Sequence, residues 1–203
     1  MKLYYAPGAC SIGIHVLMEE IGKPYEAARV NIREGEQFKP EFTGINPKSK
    51  VPTLVRDDNS VLTEFPAIAL WLAQKHPQLM PKDPDSTARA MEATDYAVAT
   101  VHMQAFSRVF RPANYAPSES DHEAVKEKGL DMYRKGLENL SRALDGKDYF
   151  AGDFSFGDAA PFYVTFWAKE RLNLDLPEKI AGHYARMRAR PAVQRAMQQE
   201  GLA

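Results

Sequence analysis

Residues 2–11 read Lys-Leu-Tyr-Tyr-Ala-Pro-Gly-Ala-Cys-Ser. The stretch opens on strand formers, and Pro7-Gly8 ends the strand in a tight turn. Just past the turn, Ile12, Val16 and Leu17 fall at helical spacing, and Gly22 stands where a left-handed residue closes a helix. The stretch therefore predicts a strand, a turn and a helix over about 11–21, with Cys10 at the helix start. Working outward, 25–32 reads as a second strand, and 33–50 as irregular with a short helix near 40–44. Two short strands, 53–56 and 60–62, flank Asp57-Asp58-Asn59 as a hairpin, and Glu64-Phe65-Pro66 opens another helix. The order is β-α-β, then β-β-α. The helical crossover makes the first two strands parallel, and the hairpin adds an antiparallel pair.

Pro77, Pro81 and Pro84 fall within eight residues and mark a linker. Beyond it the pattern is helical: 87–110 without Pro or Gly, then 119–144, 177–189 and 191–199. Ser155-Phe156-Gly157-Asp158 resembles a capping box ahead of the apolar run 159–167. The chain thus divides into 1–77, a linker at 78–86, and a helical 87–203.

Composition narrows the function classes. The chain has 203 residues, 26 Lys plus Arg against 27 Asp plus Glu, and a net charge of -1. That balance shows no basic excess that would make nucleic acid or an anionic membrane an obvious partner. No stretch reaches the ~20 apolar residues of a membrane helix, and the start lacks the apolar core of a signal peptide. The expectation is a cytoplasmic protein. Cys10 is the single cysteine, which excludes an intrachain disulfide, and no His/Asp/Glu cluster has metal-ligand spacing.

Three places carry chemistry. Cys10 at a helix start meets free amides and a positive dipole end, which stabilise a thiolate; the alternative is a buried, inert cysteine. Without a second cysteine at position 13, dithiol exchange is excluded and monothiol chemistry remains. In Lys50-Val51-Pro52-Thr53-Leu54, a cis Pro52 would turn the backbone of Val51 outward to pair with an extended peptide; a trans Pro52 would only start a strand. Glu64 before a helix would hold an ammonium beside the helix amides, or would be a solvated acid.

Together these residues resemble the cytosolic glutathione transferases, most closely the bacterial beta class. The resemblance spans essentially all 203 residues. It rests on residues 2–11, on Asn46-Pro-Lys-Ser-Lys-Val-Pro-Thr-Leu54, on Leu62-Thr-Glu-Phe-Pro-Ala-Ile68, on Ser155-Phe-Gly-Asp-Ala159 and on Arg190-Pro-Ala-Val193. It implies an α/β thioredoxin-like N-terminal domain, an all-α C-terminal domain, a homodimer, and a detoxification enzyme in the cytoplasm. Glutathione would be the co-substrate, conjugated as its thiolate to electrophilic hydrophobic compounds, with no metal. The same fold also serves glutathione-dependent thiol-disulfide reductases or peroxidases, here through Cys10, and non-catalytic binding or scaffold proteins.

Residue by residue, the resemblance places Cys10 beside the glutathione sulfur, with Ser11 and Tyr5 as alternative activators. Val51 would pair with the cysteinyl backbone next to cis Pro52, while Glu64 and Phe65 would hold the γ-glutamyl end. Phe106, Phe110 and Trp167 would line the hydrophobic-substrate site, and Ser155 and Asp158 would form a structural capping box. The chain departs from the family at several of these places. Phe65 stands where Ser or another small residue is usual, so a hydroxyl donor is absent, and Pro66 brings no N–H. Each missing hydrogen bond to a charged group is worth ~1.5–3 kcal/mol. Met103 and Gln104 occupy the positions of a His-Lys pair, with His102 one residue, about 100°, around the helix. Gly35 replaces a Lys, leaving Arg33 and Lys39 as substitutes.

Overall fold

The structure is a computed structural model that describes residues 1–202. The chain forms two compact units, Met1–Met80 with Arg186–Ala203, and Pro81–Ala185.

The first unit begins with β1 (Lys2–Tyr5), α1 (Ser11–Ile21) and β2 (Glu26–Arg29). It continues through a short α2 (Pro40–Thr43), then β3 (Thr53–Val55), β4 (Val61–Thr63) and α3 (Phe65–Lys75). The sheet order is β2-β1-β3-β4. β1 and β2 are parallel with Leu3 opposite Ala27, and β3 runs antiparallel to both β1 and β4. This is the thioredoxin-like arrangement. Alternation along β1 sends Leu3 and Tyr5 inward, where they join Ile12, Val16 and Leu17 of α1 and Ile68 and Leu72 of α3. Gly22 closes α1 at φ 70°, a conformation that glycine reaches without strain.

The second unit is helical. α4 (Pro84–Asp95) is capped by Asp83, whose carboxylate accepts the Ser86 N–H at 2.8 Å. The backbone then continues through a π-helical stretch, Tyr96–Phe106, into α5 (Ser107–Phe110). The uninterrupted helix expected over 87–110 is thus continuous in course but wider in its middle. Ala97, Val101 and Ala105 form the buried face of this stretch. α6 (His122–Leu144) lies close against this stretch: a Cβ at Gly129 would stand 2.9 Å from the Ala105 carbonyl oxygen.

α7 (Ala159–Glu170) follows the Ser155–Asp158 capping box, which is formed as the sequence predicts. The Ser155 N–H donates to Asp158 Oδ2 at 2.9 Å, and Ser155 Oγ accepts the Gly157 N–H at 3.2 Å. Asp158 Oδ1 also accepts the Phe150 N–H at 3.1 Å and lies 3.0 Å from His183 Nε2.

α8 (Glu178–Ala189) and α9 (Pro191–Gln199) end the chain, and α9 packs on α1 within the first unit. Arg190 clamps Glu20 through Nε at 2.5 Å and Nη2 at 3.1 Å, and Arg195 Nε reaches Glu19 at 2.6 Å. Among the described residues no helix is long and apolar enough to cross a membrane.

Candidate glutathione site

Cys10 is the residue before α1, and its backbone is already helical at φ -56°. Its side chain makes no cap. The thiol instead points across to the loop before β3 and donates to the Val51 carbonyl at 3.4 Å. Burial pushes the Cys10 thiol up to about 12, against the pull of the Cys10 and Ser11 backbone N–H groups and of Lys50. The helix-start donors expected to favour a thiolate are present, and desolvation outweighs them. Desolvation thus favours the thiol over the thiolate, although the Cys10 residue as a whole is only half-buried.

Val51 is positioned by its neighbours. The Val51-Pro52 bond is cis. The buried Asn46 side chain shapes the loop around it: Nδ2 donates to the Lys50 carbonyl and to Thr53 Oγ1, both at 2.8 Å. Thr53 Oγ1 donates in turn to the Lys50 carbonyl at 2.9 Å, and Asn46 Oδ1 accepts the Lys48 N–H at 3.0 Å. Asn46 carries no chemistry, yet it fixes Val51 beside Cys10. A turn-forming Asn before Pro47 was the one signal for it in the sequence.

Glu64 precedes α3 with φ 70° and ψ 124°. Left-handed backbone at a non-glycine residue is costly, on the order of 1–3 kcal/mol, and such residues cluster where a ligand is held. The Glu64 carbonyl accepts the Ile68 N–H at 3.0 Å and starts the helix. Its carboxylate stays exposed and pairs with Lys48 Nζ at 2.8 Å. Phe65, next to it, turns its ring into the core and brings no side-chain donor.

Ser11 and Tyr5 are committed elsewhere. Ser11 is fully buried. Its Oγ accepts the Ala6 N–H at 3.1 Å and donates to the Ala6 carbonyl at 3.3 Å, tying the end of β1 to the start of α1. The Tyr5 hydroxyl donates to the Gln199 carbonyl at 3.5 Å, and burial followed by the Glu200 charge raises its pKa. Arg33 is exposed in the segment between β2 and α2. Lys39 lines a groove of about 440 Å³ with Tyr4, Arg29, Glu36 and Phe42.

In the second unit, Met103 and Gln104 are exposed on the π-helical stretch. His102 turns into its own unit, with Nδ1 3.2 Å from the Tyr163 hydroxyl and its ring edge on Trp167. Trp167 and Phe106 stack at 4.3 Å between centroids, and Phe110 continues the stack on Phe106 at 5.5 Å. Phe110 is 62% exposed, so the stack ends on an open aromatic face. A larger cavity of about 510 Å³, lined by Arg89, Tyr96, Asn139, Arg142 and Phe150, holds none of these residues. Among the described residues no three His, Cys, Asp or Glu side chains gather to hold a metal ion.

Comparisons with known proteins show the family of the chain. Residues 8–75 match the family described as glutathione S-transferase, N-terminal domain. The chain is 34% identical over 208 aligned residues to glutathione S-transferase GstA of Escherichia coli O157:H7, covering 100% of both chains. It is 30% identical to glutathione S-transferase GST-4.5 of Xanthomonas campestris, again covering 100% of both. Among solved structures, a glutathione transferase homologue from Sulfitobacter with bound glutathione superposes at a TM-score of 0.91, with 29% identity over 100% of this chain and 98% of that one. The bacterial beta class enzyme of Sphingomonas chungbukensis superposes at 0.84 with 27% identity, covering 100% of both chains.

Proposed function

The chain belongs to the glutathione S-transferase family, most like its bacterial beta class, and we propose that it conjugates the glutathione thiolate to electrophilic hydrophobic compounds. The observation that carries this reading is the meeting of the Cys10 thiol with the Val51 carbonyl beside cis Pro52, on the same unit as the strained, exposed Glu64. Glutathione is a γ-linked peptide with a thiol at its centre. Val51 offers the backbone edge that pairs with an extended peptide, and Glu64 offers the charge that holds an α-ammonium.

Cys10 serves this chemistry as a hydrogen-bond donor. Its S–H is held protonated by burial and points at Val51, where the cysteinyl part of the peptide would lie. A donor beside a thiolate favours the ionised form and lowers its pKa. Reductase or peroxidase chemistry through Cys10 would need the opposite, a Cys10 thiolate, which this burial disfavours. Positioning the two reactants supplies the rest of the rate. The stack Trp167–Phe106–Phe110, with its open outer ring, would hold the apolar electrophile, and Met103 and Gln104 stand on the same stretch of helix.

Family membership also supports detoxification as the role, a homodimer as the working form and the cytoplasm as the location. It likewise supports 1–77 and 87–203 as the glutathione-binding and helical domains, joined by 78–86. Arg33 and Lys39 stand as substitutes for the Lys that Gly35 replaces in the family pattern.

Retention on immobilised glutathione together with conjugation of a chlorodinitrobenzene-type electrophile tests the proposal. Binding and conjugation are expected. Absence of glutathione binding at millimolar concentration would overturn the reading.

A further inference from the structure

Lys48 lies in the loop shaped by Asn46, and its side chain crosses to the start of α3. Nζ donates to Glu64 Oε1 at 2.8 Å and to Thr63 Oγ1 at 2.9 Å. An ammonium has three N–H donors, so one remains for a ligand. The pair is not sequestered: the Lys48 side chain is 54% exposed and that of Glu64 58%. An ion pair this open contributes little to stability, ~0–1 kcal/mol. Its consequence is a fixed pattern of charge, a carboxylate and an ammonium side by side and facing outward.

An α-amino acid head group is the same pattern reversed. It carries an ammonium and a carboxylate on one carbon. Laid against Glu64 and Lys48, its ammonium meets the carboxylate and its carboxylate meets the ammonium, so that the four charges alternate in sign. At the start of α3 the α-carboxylate finds backbone N–H groups but no side-chain donor. Phe65 is buried and offers no hydroxyl, and Pro66 has no N–H.

We propose that Lys48 binds the α-carboxylate of the γ-glutamyl group of glutathione, in place of the hydroxyl that Phe65 lacks, while Glu64 binds the α-ammonium. This rests on the glutathione reading above and adds a residue to it. Lys48 was not among the candidates read from the sequence, because an exposed lysine in a loop has no distinguishing pattern.

Two ligands and two variants test it. Glutathione and γ-aminobutyryl-cysteinylglycine differ only in the α-carboxylate, which the second lacks. Their dissociation constants are measured by calorimetry for the intact protein, Lys48→Ala and Lys48→Arg. Lys48 is exposed and outside the core, so neither variant disturbs folding. Lys48→Ala should weaken glutathione about 5- to 10-fold, as for loss of one charge-assisted contact at a half-exposed site, and change the decarboxylated ligand less than about twofold. Lys48→Arg should restore glutathione binding to within about twofold of the intact protein. Unchanged glutathione affinity in Lys48→Ala overturns the proposal. So does equal weakening of both ligands, which would make Lys48 only a positioning residue for Glu64. An intact protein that binds neither ligand at millimolar concentration overturns the glutathione reading itself, and this assignment with it.

Discussion

The carboxylate of Glu200 meets the imidazole of His15 inside the first unit, Oε1 to Nδ1 at 2.9 Å, with neither side chain exposed. The other oxygen of Glu200 accepts the Gly8 N–H at 2.7 Å, in the turn that leads to Cys10. His15 Nε2 lies 2.7 Å from Gln199 Oε1, and Gln199 Nε2 donates to Glu19 at 2.9 Å. One residue near the chain end therefore satisfies both the first helix and the turn that aims the site. Removing the carboxylate leaves two buried groups, the His15 ring and the Gly8 N–H, without this acceptor, at ~1–3 kcal/mol each and ~3–5 kcal/mol together. For a chain of this size that corresponds to a Tm fall of about 6–20 °C for Glu200→Ala, and less for Glu200→Gln, which keeps one acceptor. Calorimetric melting decides it; a shift below about 2 °C would mean that the pair holds nothing.

The raised pKa of Cys10 has a kinetic and a thermodynamic consequence. With the thiol at about 12 against an ordinary 9.0, its thiolate fraction at pH 7.5 is about a thousandfold lower than that of a free cysteine. Part of that loss is offset by the greater nucleophilicity of a more basic thiolate. Alkylation of Cys10 by iodoacetamide should therefore run at least about 100-fold slower than that of a small-molecule thiol, and quicken as pH rises. Between pH 9 and about 12 the unfolded chain loses this proton while the folded chain keeps it. The unfolded state then binds fewer protons, so the contribution of Cys10 is complete below pH 9 and is lost as pH rises towards about 12. In Cys10→Ala that share of the alkaline loss should vanish, and conjugation should persist at a reduced rate, because the glutathione thiolate loses one donor. Labelling of intact protein at the rate of a free thiol would refute the burial argument.

The parts of this molecule that were legible in the sequence are local. Strand formers, Pro7-Gly8 and the spacing of Ile12, Val16 and Leu17 lie within sixteen residues and suffice for β1, the turn and α1. The capping box at Ser155–Asp158 is likewise a four-residue pattern. The helix at 191–199 was also legible, but its partner was not: Arg190 and Glu20 are 170 residues apart, and no periodicity reports a pairing across that distance. The π-helical winding of Tyr96–Phe106 was hidden because residues that suit an α-helix suit it as well. At Cys10 the donors were legible and the desolvation was not, since burial is a property of the whole unit.

Gly129 tests the close approach of α6 to the helix before it. An added Cβ would meet Arg108 Cβ at 2.8 Å, the Ala105 carbonyl oxygen at 2.9 Å and Val109 Cγ2 at 2.9 Å. A backbone oxygen cannot swing aside as the tip of a side chain can. Alanine improves helix propensity by ~1 kcal/mol over glycine. Overpacking costs ~1–3 kcal/mol and prevails where backbone must move. Gly129→Ala should therefore lower the denaturation midpoint in urea with an unchanged slope. A raised midpoint would show that propensity outweighs the clash.

Asp158 separates structural from chemical roles within the same family motif. Its carboxylate serves the Ser155 N–H, the Phe150 N–H and His183 Nε2, all of them buried, whereas Ser155 Oγ serves chiefly the Gly157 N–H. Each buried group left without its partner costs ~1–3 kcal/mol, and loss of a capping hydroxyl costs ~1 kcal/mol. The stability order should be intact protein, Ser155→Ala, Asp158→Asn, then Asp158→Ala, with the last accumulating poorly as folded protein. Among variants that do fold, glutathione affinity should match that of the intact protein, because neither residue belongs to the unit that holds Cys10, Val51 and Glu64. A Ser155→Ala protein that melts normally but binds glutathione several-fold more weakly would contradict this, and would assign the capping box a part in the site.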